Sequence, residues 1–387
     1  MPKTQSELLA AAESLLPELK QRSQEIDDLR QLPDDLARRL SEFGFYHIIG
    51  PPQTGGHGQP TRVLCELVER LATANGSTAW CVFIGATSQL NAGSVAPSQR
   101  AAMSAPGTVI SGVFAPSGTA RFESRDGAAG YVVNGHWKWG SSSRNADWIC
   151  GALREVDAAG DAVTTADAVT RVIFRPDDLE MPDNWHTSGL RGTGSGDYLA
   201  HDRWLPAERF GTGTRAGDLV DEPIYRFPLY ATLSTPCGAI ALGMARACVD
   251  EVIALAKEKT PQGSRRTLAQ RPILHHDVAS MDTKLRAARA LLYESIDAVW
   301  HAIERREPTV EDRLSIRTAN VHAMRTGVEV IDRMYSIVGG SSIWADSCLQ
   351  RHFRDVHTAS QHMMVADSVM ELAGRVLLGL DDAAPGL

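Results

Sequence analysis

A stretch rich in tryptophan and serine, residues 131–148, has side chains that suit the binding of a flat polar ring. It begins with the strand-like Tyr131-Val132-Val133, and Asn134-Gly135 predicts a hairpin turn because both residues tolerate positive φ. The return segment contains Trp139 and ends in a small corner, Gly140-Ser141-Ser142-Ser143. An indole covers a ring face and a hydroxyl reaches an edge atom. The alternative is an ordinary hairpin with surface tryptophans.

A histidine near the other end of the chain is the second candidate for chemistry. His352, His357 and His362 are spaced five residues apart, so they do not share one helical face and do not predict a metal site. From the residues alone, a structural or surface role for His362 remains open.

Helical patterns precede the tryptophan-rich stretch. Leucines at helical spacing predict a helix from residue 4 to about 30 and a second helix that ends at Gly44, which could act as a left-handed cap. A third helix is expected over about 60–75. Gly76-Ser77-Thr78 is expected to break it, with another helix beginning near Ala79.

The pattern changes at about residue 105 and again at about residue 210. Between them, short alternating runs such as 109–114, 131–133, 148–150 and 171–174 predict a small β-domain, with a loop over 156–170. Beyond it, apolar stripes predict long helices over 239–257, 272–304 and 310–338 in an antiparallel bundle. Because proline and glycine are absent between Asp355 and Gly374, a last helix is expected to carry Val365, Val369 and Leu372, with a continuation through Val376 and Leu377.

Composition excludes several classes of protein. The chain has 387 residues, 43% of them hydrophobic, which is typical of globular proteins with more than one domain. A net charge of −8 argues against nucleic-acid or anionic-membrane binding. The six cysteines show no Cys-x-x-Cys spacing, and there is no signal-peptide pattern or membrane-length apolar run, so we expect a cytoplasmic protein with free thiols.

Three motifs, in this order, resemble the acyl-CoA dehydrogenase superfamily. They are Asn134-Gly135-x-Trp-x-Trp139-x-Ser141, the turn Gly-Leu-Arg-Gly-Thr-Gly-Ser-Gly-Asp over 189–197, and Gly339-Gly340 followed by Arg354-Asp355. The closest likeness is to the oxygenase branch, the two-component monooxygenases that use reduced flavin. The glycines of 189–196 have Gly-x-Gly-x-Gly spacing with no helix expected after them, so they do not predict a nicotinamide site.

The resemblance implies a mainly helical fold with a central β-domain. An N-terminal helical domain (1–105), a β-barrel-like middle domain (106–212) and a C-terminal four-helix bundle (213–387) are expected, assembled as a homotetramer. It also implies reduced FMN or FAD supplied by a separate flavin reductase, molecular oxygen, and a small-molecule substrate.

The resemblance assigns cofactor contacts to particular residues. Trp139 would lie against the isoalloxazine and Ser141 would bond its N5 edge. The other expected contacts are Ser142, Phe114, Gly339, Gly340, Arg265 and Arg266. The two arginines suit a flavin phosphate as charge-assisted donors, although solvated loop charges are an equal alternative.

The expected catalytic residues are His362 and Ser141. Where common acyl-CoA dehydrogenases carry a glutamate base, this chain has Met363, which cannot accept a proton, and His362 precedes it. The resemblance therefore implies a monooxygenase acting through a flavin C4a-hydroperoxide. His362, with an ordinary pKa near ~6.5, would support the hydroperoxide or move a proton.

The substrate assignment is coarser. Relatives that hydroxylate phenols often have histidines where this chain has Thr87, beside Gln89, and Asn145. These two residues, with Gln89 and Met363, are the candidate substrate contacts. The missing histidines argue against a simple phenol-hydroxylating base and leave open an indole-like ring, or an amine or a sulfur that is oxidised directly.

Two other functions remain open at this point. One is an acyl-CoA dehydrogenase whose base is Glu251 or Glu258. The other is a catalytically silent flavin-binding protein.

Overall fold

The computed structural model describes residues 2–163, 170–211, 219–381, 384 and 386–387. Within them the helices are α1 (Gln5–Gln21), α2 (Ser23–Leu29), α3 (Asp34–Glu42), α4 (Thr61–Ala72), α5 (Gly76–Ser88), α6 (Pro97–Met103), α7 (Pro223–Arg226), α8 (Leu229–Glu258), α9 (Pro272–Ile303), α10 (Val310–Ile337), α11 (Cys348–Ala359) and α12 (Asp367–Leu377). The strands are β1 (Ile110–Phe122), β2 (Gly130–Trp137), β3 (Trp148–Val156), β4 (Thr170–Phe174) and β5 (Tyr198–Pro206). Helices flank a central sheet, which confirms the predicted fold class.

The N-terminal helices follow the leucine spacing with two differences. The helix expected to reach residue 30 is two helices, α1 and α2, which meet at Arg22. Gly44 has φ of 81°, so the predicted left-handed cap after α3 is confirmed. The expected break at Gly76-Ser77-Thr78 is wrong. These residues are the first turn of α5, because the Asn75 side chain caps it by accepting the Thr78 N–H at 2.8 Å.

The sheet has the strand order β4-β3-β1-β2-β5, and only the β1–β3 pair is parallel. The predicted hairpin turn at Asn134-Gly135 is wrong, since both residues lie inside β2 and pair with β1. Gly135 is needed there for space. A Cβ on Gly118, Gly135 or Gly151 would lie 2.5, 2.4 or 2.9 Å from the fully buried Trp137 ring. The three glycines therefore leave the space that the Trp137 indole occupies.

The C-terminal helices α8, α9, α10 and α11 pack against one another as the predicted bundle. Helix α8 begins ten residues before the expected residue 239 and contains Pro236. The expected last helix is present as α12, which carries Val369 and Leu372 and continues to Leu377. It begins at Asp367, after α11 has ended at Ala359, so Val365 lies just before it. His362 lies in the turn between them and caps a short 3-10 segment, accepting the Met364 N–H with its ring.

The expected boundary at 212 lies outside the described residues, as do residues 164–169 of the predicted loop. The domain limits therefore stay a prediction. All six cysteines are free, and all but the partly buried Cys348 are buried. None of the helices in the described part of the chain is long and apolar enough to cross a membrane. No group of three or more His, Cys, Asp or Glu side chains among the described residues could hold a metal ion.

Candidate active site

The corner after β2 holds Trp139 and Ser141 in opposite environments. Trp139 and Ser142 have φ of 61° and 63°, a left-handed conformation that costs about 1–2 kcal/mol for residues other than glycine. The Trp139 side chain is 71% exposed, whereas Ser141 is buried. The strained corner therefore presents an indole outward and a hydroxyl inward.

The Ser141 hydroxyl belongs to a directed chain of hydrogen bonds. Thr193 Oγ1 donates to the Leu190 carbonyl at 2.8 Å, so it accepts from Ser195 Oγ at 2.6 Å. Ser195 Oγ in turn accepts from Ser141 Oγ at 2.6 Å, and Ser141 Oγ accepts from Trp80 Nε1 at 3.2 Å. Since its proton is committed to Ser195, Ser141 has only acceptor capacity left for a ligand.

Trp80 also contacts His362. Their ring centroids are 5.5 Å apart with an interplanar angle of 71°, an edge-to-face contact. The Trp80 indole on α5 therefore contacts both predicted catalytic residues, Ser141 in the β2–β3 corner and His362 in the α11–α12 turn. We call Trp80, Ser141, Ser195 and His362 the Trp80 cluster.

The protonation state of His362 differs from the expectation. Burial, with a smaller contribution from the positive charge of Arg317, lowers the pKa of His362 to about 4 rather than leaving it near its ordinary value. The ring is therefore neutral at pH 7. Nδ1 accepts the Met364 N–H at 3.3 Å, so Nε2 carries the hydrogen.

A cleft of about 350 Å³ adjoins the cluster. Its lining residues are His136, Lys138, Trp139, Asn184, Trp185, Thr187, Ser195 and Asp197. Asp197 bonds both His136 Nε2, at 2.6 Å, and the Trp139 N–H, at 3.4 Å. Two indoles and a row of hydroxyl, amide and carboxylate groups fit a flat ring with a polar edge, and so fit a flavin.

Two further predicted cofactor residues are Ser142, in this corner, and Phe114, on β1. Ser142 is buried, its N–H donates to the Thr193 carbonyl at 2.7 Å, and its hydroxyl has no partner among the described residues. Phe114 is half-buried on β1, with the Arg171 guanidinium 5.7 Å from its ring centre. Their cofactor roles stay predictions.

The remaining predicted cofactor residues form a second, exposed group. Lys259 Nζ donates to the Val338 carbonyl and to Ser341 Oγ, and so spans Gly339-Gly340. The Lys259 carbonyl accepts from the Leu268 N–H at 2.9 Å, which holds the loop of Arg265 and Arg266 alongside. We call Lys259, Arg265, Arg266, Gly339 and Gly340 the Lys259 corner. Among the described residues, no hydrogen bond or ion pair links this corner to the Trp80 cluster.

The four candidate substrate residues lie in different surroundings. Thr87 Oγ1 donates to its own helix, and the buried Gln89 donates to the Thr54 carbonyl at 2.8 Å. Asn145 donates at 3.0 Å to the backbone just before α3. Met363 is 68% exposed and adjoins His362 in sequence. Of the four, Met363 is joined most directly to the Trp80 cluster, and all four assignments stay predictions.

The structure gives no support to a carboxylate base. Glu251 and Glu258 are exposed on α8. Within the described part of the chain, neither Ser141 nor His362 hydrogen-bonds to a carboxylate. Trp80, Trp185 and Ser195 were not predicted as site residues. Ser195 had a signal, a hydroxyl inside the glycine-rich turn, but Trp80 had none because its helix is apolar on nearly every side.

Known proteins resemble this chain over almost its whole length. Residues 2–99 match the family of the acyl-CoA dehydrogenase N-terminal domain, and residues 236–367 match that of the C-terminal domain. The indole-3-acetate monooxygenase of Pseudomonas putida is 29% identical, covering 95% of this chain and 93% of its own. The flavin-dependent monooxygenase oxygenase subunit HsaA of Mycobacterium tuberculosis is also 29% identical, with 92% and 91% covered.

The same likeness appears in three dimensions. The structure of XiaF from a Streptomyces species, solved with FADH2 and glycerol, superposes with a TM-score of 0.87. It is 25% identical to this chain, and the match covers 98% of this chain and 96% of that one.

Proposed function

The chain belongs to the acyl-CoA dehydrogenase superfamily, in its branch of reduced-flavin-dependent oxygenase components, and on that premise we propose that it inserts one oxygen atom into a small aromatic or heteroaromatic substrate. The observation that carries this proposal is the position of Trp80, which joins Ser141 to His362 beside the cleft. A chain of this type requires a flavin reductase as its partner. Substrates with nitrogen- or sulfur-containing rings are included.

The cleft residues suit the cofactor in its reduced form. Bound reduced FMN or FAD supplies the two electrons that activate molecular oxygen. Ser141 has a free lone pair and a committed proton, so it suits the N5 position of reduced flavin, which carries a hydrogen. Trp139 and Trp185 both line the cleft, so Trp139 would cover the ring and the two indoles would limit access of water to it.

His362 is the proton donor that this chain offers to oxygen. Because its ring is neutral with the hydrogen on Nε2, it can donate a hydrogen bond without first taking up a proton. The edge-to-face contact with Trp80 fixes the ring plane. His362 therefore positions a proton, while Ser141 orients the cofactor edge.

The Lys259 corner requires a further proposal about assembly. Its arginines and glycines are exposed, and within the described part of one chain the corner makes no hydrogen bond or ion pair to the Trp80 cluster. We propose a homotetramer in which the corner binds the flavin phosphates of a neighbouring subunit.

The free cysteines fit a reducing compartment, in agreement with the proposed cytoplasmic location.

The first test needs no substrate. The protein is mixed anaerobically with reduced FMN or reduced FAD and then given a pulse of oxygen, while the return of oxidised-flavin absorbance is followed. We expect that return to be far slower than for free flavin, and faster again in Ser141→Ala and His362→Ala. Reoxidation at the free-flavin rate would contradict the proposal. Bleaching of bound oxidised FAD by an acyl-CoA would favour a dehydrogenase instead.

A further inference from the structure

Arg317 on α10 is a buried cation without an acidic partner. Its relative exposure is 2%, and no carboxylate in the described part of the chain lies within ion-pair distance. Nη1 donates to the Met364 carbonyl at 3.2 Å and to the Tyr230 carbonyl at 3.4 Å, whereas Nε has no partner among the described residues. Two neutral carbonyls therefore share a guanidinium that retains unused donors.

This arrangement is costly unless an anion completes it. A buried guanidinium without a counter-ion loses most of its hydration, and burial accordingly lowers the pKa of Arg317. The Tyr230 ring, centred 5.9 Å from the guanidinium carbon, is only a partial substitute. Tyr230 is itself 38% exposed, so this neighbour of Arg317 reaches the protein surface.

The position of Arg317 ties it to the Trp80 cluster. Met364, whose carbonyl and sulfur it contacts, is two residues from His362 in the same turn. An anion bound by Arg317 would thus lie beside the histidine that we place at the oxygen chemistry.

We propose that Arg317 binds the carboxylate of an aromatic acid, which makes aromatic carboxylates the preferred substrate class; this inference rests on the proposed function. A guanidinium presents parallel N–H donors that match a planar carboxylate. The flavin phosphates have a more suitable site in the exposed Lys259 corner. The Pseudomonas putida relative is named for indole-3-acetate, which has this combination of ring and carboxylate.

The test compares binding of acids with binding of their uncharged amides. Equilibrium dialysis of the protein with bound reduced flavin, without oxygen, would use indole-3-acetate against indole-3-acetamide and phenylacetate against phenylacetamide. We expect the acid to be preferred in at least one pair. In Arg317→Gln, which keeps a donor for the Met364 carbonyl, we expect that preference to fall at least about tenfold. Arg317→Lys should retain part of it.

Arg325→Gln is the matched control, because it removes the same charge from the same helix at an exposed ion pair with Asp367. It should keep the preference. Equal binding of acids and amides by the wild type, binding of neither, or an unchanged preference in Arg317→Gln would overturn the inference. If Arg317→Gln weakened the binding of reduced flavin and left the acid preference intact, the guanidinium would bind the cofactor rather than the substrate, and the inference would be wrong.

The two proposals can fail separately. A slow return of oxidised flavin after the oxygen pulse, together with no acid preference, would remove only the Arg317 inference. Free-flavin behaviour in the oxygen pulse would remove the monooxygenase itself, whatever the dialysis showed.

Discussion

The Trp80 cluster and the Lys259 corner differ in how much of each is completed by a single chain. In the cluster, every polar group has a neighbour from another element: an indole from α5, hydroxyls from two loops and an imidazole from the α11–α12 turn. In the corner, Arg265 and Arg266 are exposed, and Lys259 Nζ donates to Val338 and Ser341 on either side of the exposed Gly339-Gly340. The sequence motifs had suggested one cofactor site for both regions.

The difference separates chemistry from binding. A buried group with a fixed tautomer and a fixed ring plane suits control of a reaction. Exposed arginines on a loop suit the attraction of an anionic group, a weaker and salt-dependent effect. Changes in the cluster should therefore alter what happens to oxygen, and changes in the corner should alter how tightly flavin is held.

The largest expected effect is that of His362→Asn. Asparagine is a good helix cap and can still accept the Met364 N–H, so the turn should persist while the imidazole is lost. We expect product formed per flavin oxidised to fall about 100-fold, with hydrogen peroxide released instead. Product and peroxide would be measured at saturating flavin. An unchanged ratio of product to peroxide would remove His362 from the chemistry.

Next in size is the double variant Arg265→Ala/Arg266→Ala. We expect the dissociation constant for reduced flavin to rise about tenfold, more at low salt than at high salt, with an unchanged product ratio once flavin is saturating. The control Arg38→Ala/Arg286→Ala removes the same charge from exposed sites elsewhere. A fall in the ratio of product to peroxide, with unchanged affinity for reduced flavin, would mean that the corner takes part in the oxygen chemistry. The proposed division between the two regions would then be wrong.

Mixed oligomers sharpen this prediction. If the corner serves a neighbouring subunit, co-expression of His362→Asn chains with Arg265→Ala/Arg266→Ala chains should restore about a quarter of the sites at limiting flavin. Those sites take an intact cluster from one chain and an intact corner from the other. Activity equal to the mean of the two parent variants would place cluster and corner in the same chain.

Most of the fold could be predicted because periodicity is a property of each segment alone. The stripes of α9 and α10 gave helix ends within a residue or so. The errors arose where packing overrides local preference. Asn134-Gly135 is a common turn sequence, yet both residues pair with β1 inside a strand, and Gly135 is required there because the Trp137 ring occupies the space of a side chain. The α11–α12 break has no proline or glycine to mark it.

The candidate site was only partly predictable for a similar reason. Ser141 and His362 could be named from their motifs, and the structure places both against one indole. Trp80 itself could not be named, since an indole inside an apolar helix is normally core. The lowered pKa of His362 depends on burial and on Arg317, which is distant in the sequence, so its charge state could not be read from the histidine alone.

A smaller effect is expected from Trp80→Phe. Phenylalanine keeps an aromatic edge against His362 but removes the N–H that donates to Ser141. We expect a loss of about threefold to tenfold in the product ratio, because a single neutral hydrogen bond contributes about 1 kcal/mol. Trp137→Phe, in the sheet core, is the matched control and should lower stability without changing the ratio. An unaltered ratio in Trp80→Phe would show that Ser141 works without its indole donor.

The smallest expected effect is that of pH on the wild type. Since the pKa of His362 is lowered to about 4, its ring stays neutral, and we expect the product ratio to change less than about twofold between pH 8 and pH 6. The same shift affects stability: the folded state prefers the neutral ring, so this contribution is complete above about pH 6.5 and is lost as pH falls towards 4. The free energy of unfolding of the wild type should therefore decline relative to His362→Asn over that range, by on the order of 1 kcal/mol or more. Denaturant unfolding of both proteins at each pH measures the difference, which cancels the other buried histidines. A product ratio that rises as pH falls from 8 to 6, with a constant difference in stability, would mean that His362 acts as an imidazolium.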